Sequence, residues 1–559
     1  MVKRLLAVLG KEFSSLHQAA FLLGASAFLA QILGLLRDRL LAGTFGASTE
    51  LDVYYMAFRI PDLLYVGFAS FVSITVLIPF ILKRKKSGGT EAVRNFLSDI
   101  VSVFTIVMIL MVVIIFILMP ILAHIIAPGF DDEATDLLIK VSRLLLLSPL
   151  ILGLSNLFGS ITQSYRCFLA YTLSPVVYNV GIIIGIMFFY PLWGLPGLVV
   201  GVILGALAHL LIQLPSVYEL NLIPRFQLVK NWKMVKEVIL ISLPRTVTLS
   251  VHQLSLLVLI SSASVLSVGA VSIFNLAFNL QSFPLIIIGV SYSVAAFPTL
   301  ALLFGRGETD NFVLKIETAI RHIFFWSLPV VALLVVLRAH IVRVILGSGN
   351  FDWADTRLTA AALAIFVLSV IGQALVQLFV RAYYAAGLTK IPLLVNVFSS
   401  GLVIVFSFVF LNLFSNSIGF RDFLLTTLRV GDIENSAVLA LPLAYSLGLS
   451  VNALIYWFLF QNRFKQFSSL VYNSLFKSFL AAFSAGGVAF IALQVIASVL
   501  DITQYLGVFL HGLIAGICGI LAGLLILFLV KSLELAEIFA VLKNRVKFKP
   551  VRSDTSSEV

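Results

Sequence analysis

The sequence predicts an all-α polytopic membrane protein with 14 transmembrane helices, arranged as two six-helix pseudo-symmetric lobes followed by two C-terminal helices. Three observations predict it. The first is composition: of 559 residues, 60% are hydrophobic and only 11% are charged, whereas a soluble globular chain carries about 25% charged residues. Mean hydropathy is +1.08. So few charges cannot clothe a water-exposed surface of this size, which excludes an ordinary soluble, a disordered or a fibrous protein. The second is the length of the apolar runs. The third is the alternation of charge between them.

A membrane helix needs roughly 20 apolar residues to cross the hydrocarbon layer. Fourteen stretches meet that need, near 18–37, 51–82, 99–127, 134–164, 170–191, 195–217, 237–264, 268–303, 319–346, 357–386, 390–414, 436–461, 474–499 and 505–531. The runs are continuous rather than alternating, so they read as helices and not as barrel strands. Before the first lies Met1-Val2-Lys3-Arg4, read as a short amphipathic lead into helix one rather than a cleaved signal.

Loops on one side are basic: Lys3, Arg4 and Lys11; Lys83-Arg84-Lys85-Lys86 and Arg94; Arg225, Lys230, Lys233 and Lys236; Arg306, Lys315 and Arg321; Lys390; Arg463 and Lys465; and the tail from Lys543 to Arg552. The opposite loops hold Asp131-Asp132-Glu133, Asp352, Asp355, Asp432, Glu434 and Asp501. Arg338, Arg343, Arg421 and Arg429 fall on this outer side, so the bias holds on balance. Positive loops stay cytoplasmic, which puts both termini inside. The net charge of +12 is thereby explained without nucleic acid.

An internal repeat recurs at about 220 residues. Ala57-Phe58 returns as Ala277-Phe278, Pro79 as Pro298, Phe130-Asp131 as Phe351-Asp352, and Pro175-x-x-x-Asn179 as Pro392-x-x-x-Asn396. An even number of helices per repeat gives parallel halves about an axis along the membrane normal. The expected organisation is an N-terminal six-helix lobe over 1–217, a cytoplasmic connecting segment over 218–235, and a second six-helix lobe over 236–415 and 436–461. The C-terminal helix pair over 474–531 and a basic cytoplasmic tail over 532–559 complete it. Two such bundles enclose a cavity that rocking would open to alternate sides.

Charges within the membrane cost about 2.5–3.5 kcal/mol at a helix centre on insertion scales, so they need a partner or a wet cavity. The densest set is Arg37-Asp38-Arg39, Asp52, Arg59 and Asp62. Pro61 removes a backbone hydrogen bond, and such breaks mark bends that line cavities. Arg37, Asp38 and Arg59 read as an anion-binding cluster whose carboxylates pair the arginines when it is empty. Arg39 and Asp62 read as interfacial charges that snorkel to water. Arg245, after Pro244 in helix seven, stands equally as a snorkelling or a cavity residue. His252, His209 and His511 read as hydrogen-bonded packing residues. Asn279, Gln281 and Ser282 precede Pro284 and either satisfy freed backbone groups or line the cavity. Asn179 and Asn396 read as links between helices. The Lys83–Lys86 run anchors topology against anionic lipid.

Cys167 and Cys518 are far apart and suggest neither a disulfide framework nor a metal site. No nucleotide-binding loop, zinc-protease signature or nucleophile elbow is present. No cofactor is expected, and an ion gradient, the membrane potential or product use is the energy source left open.

The stretch Leu33-Gly34-Leu35-Leu36-Arg37-Asp38-Arg39-Leu40, then Phe45-Gly46-Ala47-Ser48, Asp52 and Ala57-Phe58-Arg59-Ile60-Pro61-Asp62-Leu63-Leu64 resembles the opening of the MurJ (MviN) family. These are lipid II flippases of peptidoglycan biosynthesis, within the multidrug/oligosaccharidyl-lipid/polysaccharide (MOP) exporter superfamily. Arg381-Ala382-Tyr383-Tyr384-Ala385-Ala386-Gly387-Leu388-Thr389-Lys390-Ile391-Pro392 resembles the family's second-half motif. The resemblance implies a multi-pass transporter of the bacterial inner membrane, not an enzyme. It implies a V-shaped cavity, and transfer of a polyprenyl-pyrophosphate-linked cell-wall precursor to the outer leaflet. Its partners would be that lipid-linked oligosaccharide, membrane lipids and cell-wall synthesis enzymes. Arg37, Asp38, Asp52 and Arg59 are the retained polar positions, with Arg245 and Asn279 added as substrate-binding candidates. Guanidinium suits pyrophosphate because its fork donates bidentate bonds and stays charged.

The sequence departs from the family pattern where it has Gln31, Tyr65 and Asn279 in place of arginines, and Ser70 in place of an acid. An exporter of another lipid-linked glycan, or a diverged MOP-type transporter, is the competing reading. A drug exporter would use twelve helices and an acidic coupled site. A membrane transferase would need a metal-binding acidic pair, and Asp131-Asp132 lies on the outer face. A silent scaffold for cell-wall enzymes is the last alternative. The polyprenyl tail is expected beside the last two helices, whose Gly and Ala content would leave a groove.

Overall fold

The computed structural model describes residues 16–69, 74–165, 167–498, 500 and 504–546. Among them every regular element is helical. Eleven helices are long and apolar enough to cross a membrane, or twelve if the two flanking Ser369 form one span.

The first helix, α1 (Leu16–Phe45), ends at Gly46, whose φ of +65° closes the turn. Ser48 then caps α2 (Thr49–Ala57) by accepting from the Leu51 amide, 3.4 Å away. The break expected at Pro61 falls upstream, at Phe58. Pro61 is the third residue of α3 (Arg59–Ala69), and a proline fits the first turn of a helix, where its missing N–H has no partner to lose. The next helix, α4 (Ile74–Ile126), is broken at Gly88 and Gly89, the latter at φ +65°. The Lys83–Lys86 run, expected in a loop, lies on the helical arm before this break, because charged residues can continue a helix beyond the apolar layer.

Asp131 caps α5 (Asp132–Leu145) through the Ala134 amide, and α6 (Leu147–Ser164) follows. Then come α7 (Phe168–Ile184), continued by a π-helical turn, the short α8 (Tyr190–Trp193), α9 (Leu195–Leu211) and α10 (Leu214–Glu219). Glycines set the spacing of α7 and α9: a Cβ on Gly201 would sit 2.3 Å from the Cα of Gly185. The helices are therefore in backbone contact, the small-residue mode of membrane packing.

The second half contains α11 (Trp232–Ser264), α12 (Ala270–Leu285), α13 (Ser291–Gly305), α14 (Thr309–Ile345), α15 (Trp353–Leu368), α16 (Val370–Ala385), α17 (Lys390–Asn416), α18 (Ile418–Leu428) and α19 (Ala440–Arg463). Three more helices close the chain: α20 (Ser469–Ile496), α21 (Tyr505–Leu529) and α22 (Leu533–Val546). Asp352 caps α15 as Asp131 caps α5, here in a reciprocal capping box with Asp355.

The chain divides into two compact units. One holds Met1–Phe283, Ile341–Ser369 and Gly387–Asn452; the other holds Pro284–His340, Val370–Ala386 and Ala453–Val559. In the first, Leu64, Leu77, Phe96, Leu157, Val217 and Val235 belong to one buried apolar cluster. In the second, α20 and α21 pack closely rather than leaving the expected gap: a Cβ on Gly519 would meet the Ala485 carbonyl at 2.6 Å. Small residues here draw helices together. The same unit seats α22 through buried Arg321 of α14, whose guanidinium donates to Glu534 and Glu537, both at 3.2 Å.

Candidate functional site

Four of the six predicted site residues meet in the first unit. Arg37 and Asp38 are neighbours near the end of α1. The guanidinium grips its own neighbour, with Nε and Nη2 donating to Asp38 Oδ1 at 3.0 and 2.8 Å. Its Nη1 donates to Asn179 Oδ1 at 3.2 Å. Asn179 is in turn fixed to α7 by a bond to the Pro175 carbonyl and reaches the Ala30 carbonyl of α1. It is therefore the helix link the sequence suggests, and also the bracket that orients Arg37. The other Asp38 oxygen accepts from Asn279 Nδ2 of α12 at 3.1 Å. Asp38 is buried, with its side chain 4% exposed against 23% for Arg37.

Arg59 opens α3. Its Nε donates to the Tyr55 carbonyl at 3.2 Å and its Nη2 to Asn275 Oδ1 at 2.5 Å. Asn275 is oriented by its own bond to the Val271 carbonyl. Both partners of Arg59 are neutral, and among the described residues no carboxylate lies within ion-pair distance of it. Arg37, Arg59, Asn275, Asn279 and Asp62 line one cavity of about 210 Å³, with Tyr54, Tyr55, Phe58, Tyr178 and Phe278 supplying rings. Residues from α1, α2, α3, α7 and α12 thus converge on it, the setting in which buried charge is retained for function.

Asp52 lies elsewhere. It is 1% exposed, and its carboxylate accepts from the Gly269 amide at 2.7 Å, the Ser272 amide at 2.7 Å and the Ser272 hydroxyl. Gly269 and Ser272 form the first turn of α12, so Asp52 caps that helix from another part of the chain. Gly269 has φ +83°, and a Cβ there would meet the Ala47 carbonyl at 2.5 Å, so only glycine allows this approach. Arg245 falls on α11, but its side chain lies outside the described residues, as does Ser70. Gln31 is half-buried on α1. Tyr65 lines a second cavity, of about 270 Å³, and accepts a bond from Asn156.

Sequence reasoning passed over Asn275, Tyr55 and Tyr178. Asn275 stands one helical turn before Asn279, a spacing that places both on one face of α12. The tyrosines carried no separable signal among fifteen in the chain. Among the described residues no three His, Cys, Asp or Glu side chains gather as a metal site.

A sequence model of the family described as lipid II flippase MurJ matches residues 41–515. A probable lipid II flippase MurJ of Thermotoga maritima is 30% identical over 394 residues, 70% of this chain and 79% of the relative. One from Buchnera aphidicola of Acyrthosiphon pisum is 29% identical over 380 residues, covering 66% and 73%. The lipid II flippase MurJ of Burkholderia cenocepacia is 26% identical over 386 residues, covering 68% and 75%. Among solved structures, a lipid II flippase MurJ in an inward closed conformation superposes with a TM-score of 0.73 at 20% identity, over 93% of this chain and all of that one. An inward-facing multidrug transporter of the MATE family, from the MOP superfamily, gives 0.63 at 15% identity, over 78% and 94%.

Proposed function

Because the chain belongs to the lipid II flippase MurJ family, a family of transporters and not of enzymes, we propose that it moves a polyprenyl-pyrophosphate-linked cell-wall precursor from the cytoplasmic to the outer leaflet by alternating access. The observation that carries this reading is Arg59. It is a guanidinium held in a cavity by neutral acceptors alone, beside Arg37, which is already matched to Asp38. A pyrophosphate entering this space gains charge-assisted bonds from Arg59 and from the free edge of Arg37. Asn275 and Asn279 hold the two charged centres apart and offer amide donors to phosphate oxygens. Asp38 keeps Arg37 paired when the site is empty.

In this reading the protein is a multi-pass inner-membrane transporter with both termini cytoplasmic. It has fourteen spans: the twelve obtained when the two helices flanking Ser369 count as one, together with α1 and the α2–α3 segment. Its halves act as two pseudo-symmetric six-helix lobes with α20 and α21 appended. Capping by Asp131 and Asp352 at matching positions supports that symmetry. The tyrosine, glutamine and asparagine at 65, 31 and 279 leave fewer cationic groups than the family pattern implies. That favours a cargo bound mainly through its pyrophosphate, with the attached glycan as the point of divergence.

The test is flipping of a fluorescent lipid II analogue in proteoliposomes. Arg59→Ala and Arg37→Ala are each expected to lower the rate at least tenfold. Unchanged flipping in both removes the proposed role, and flipping of a different polyprenyl-linked glycan by the unaltered protein would select the competing cargo.

A further inference from the structure

We propose that the cavity around Asp62 is a second subsite that takes an organic ammonium group, so that the cargo headgroup is read as a zwitterion: anion at Arg37 and Arg59, cation at Asp62. The inference rests on the reading above for what occupies the neighbouring cavity, and stands on its own geometry for the cation.

Asp62 sits one turn after Arg59 on α3. Among the described residues its carboxylate accepts no hydrogen bond and lies within ion-pair distance of no cation. The contrast with its neighbours is sharp: Asp38 is matched by Arg37 and Asn279, and Asp52 by three donors. A carboxylate left open inside a membrane bundle is costly unless a ligand or a proton completes it. Arg59 donates to Tyr55 and Asn275 and interacts with Asp62 through space, without an ion-pair contact.

Asp62 lines two cavities at once. The first holds Arg37 and Arg59. The second, about 270 Å³, contains no lysine or arginine on its wall. It is lined by Asp62, by the rings of Phe58, Tyr65 and Tyr178, and by Ser148 and His209. Phe58, Asp62 and Tyr178 belong to both, so one headgroup could span them.

The chemistry of the second cavity selects its occupant. A carboxylate flanked by aromatic faces attracts an ammonium through charge and through the ring quadrupoles. A bare metal cation would need a shell of converging oxygens, whereas this wall offers one carboxylate and a few hydroxyls among rings and aliphatic groups. His209 is held at the cavity wall by Ser155, whose Oγ lies 2.7 Å from Nδ1, and its ring stands edge-on to Tyr178.

The experiment is calorimetric titration of the purified full-length chain with n-butylammonium chloride, against n-pentanol as an uncharged isostere. Asp62→Asn is expected to weaken butylammonium binding at least tenfold and to leave pentanol unchanged. Tyr178→Leu, which keeps the carboxylate and removes a ring, is expected to weaken it several-fold. Absence of butylammonium binding by the unaltered protein, or equal binding by Asp62→Asn, overturns the proposal. In flipping assays, N-acetylating the cargo's ammonium should slow transport at least tenfold; equal rates for both forms also overturn it. If no pyrophosphate-linked cargo moves while butylammonium still requires Asp62, the cation subsite stands and the anion reading falls.

Discussion

Replacing Asp52 by alanine separates a positioning role from a contact with cargo. The substitution removes the acceptor for two amides at the start of α12 and for the Ser272 hydroxyl. The hydroxyl can rotate toward another acceptor, but the Gly269 and Ser272 amides cannot. Each buried donor left unsatisfied costs about 1–3 kcal/mol, so the two amides together give about 2–6 kcal/mol. A lost helix cap alone costs roughly 1–2 kcal/mol, which sets the lower end. Asp52→Asn keeps one acceptor oxygen and turns an NH₂ group toward a backbone N–H, so it should fall between alanine and the unaltered chain. The assay is thermal unfolding in mild detergent followed by circular dichroism, paired with titration of inorganic pyrophosphate at low temperature. Asp52→Ala should melt earlier and bind pyrophosphate within twofold of the unaltered protein, because Asp52 is absent from the Arg37–Arg59 cavity. An unchanged melting temperature, or lost pyrophosphate binding at full stability, refutes the capping argument.

Other perturbations follow from the same geometry. Arg59→Lys should lose most of the pyrophosphate affinity that Arg59→Ala loses, since an ammonium cannot reach Tyr55 and Asn275 as a fork while donating to a ligand; titration with inorganic pyrophosphate reads this. Arg321→Ala strands the buried Glu534 carboxylate and should destabilise the docking of α22 by roughly 3–5 kcal/mol, the usual cost of breaking a buried pair on one side; faster proteolysis of the C-terminal helix would show it. Gly201→Val forces α9 away from Gly185 and, through α7, displaces Asn179 from Arg37; lower thermal stability with weakened pyrophosphate binding is the expected pair of results. On the exposed loops, the hydrogen bond from Arg357 holds the Asp432 carboxyl below the ordinary carboxylate range. A carboxyl with a depressed folded value adds stability above its unfolded pKa of about 4, and that contribution is lost as the pH falls through the folded value. The melting temperature of the unaltered chain should therefore drop more between pH 5 and pH 3 than that of Asp432→Asn.

Much of this was readable from the chain itself, and the exceptions share a cause. Apolar run length located the long helices, of which eleven or twelve meet the length and apolarity of a span against the fourteen expected, since a bilayer imposes its thickness on sequence. Arg37, Asp38, Arg59 and Asn279 are identifiable because charge and amide groups are scarce in such helices; in the structure Arg37, Arg59 and Asn279 line one cavity, and Asp38 joins them through bonds to Arg37 and Asn279. Asp52 was visible as a buried acid, yet its work was not, because the amides it caps lie 217 and 220 residues away. Asp62 read as a snorkelling charge for the same reason: only the fold reveals that nothing nearby completes it. The helix break before Pro61 was misplaced by a few residues because proline favours the first turn as readily as it ends one. Glycine and alanine in the last helices bring their backbones together, because without bulky side chains two helices can touch.

The Asp52–Ser272 contact joins two positions separated by 220 residues, the same interval that relates Ala57-Phe58 to Ala277-Phe278. By capping the first turn of α12, the Asp52 side chain ties the entry of that helix, and with it the placement of Asn275 and Asn279, to α2, so a short segment early in the chain fixes where a helix made some 220 residues later begins.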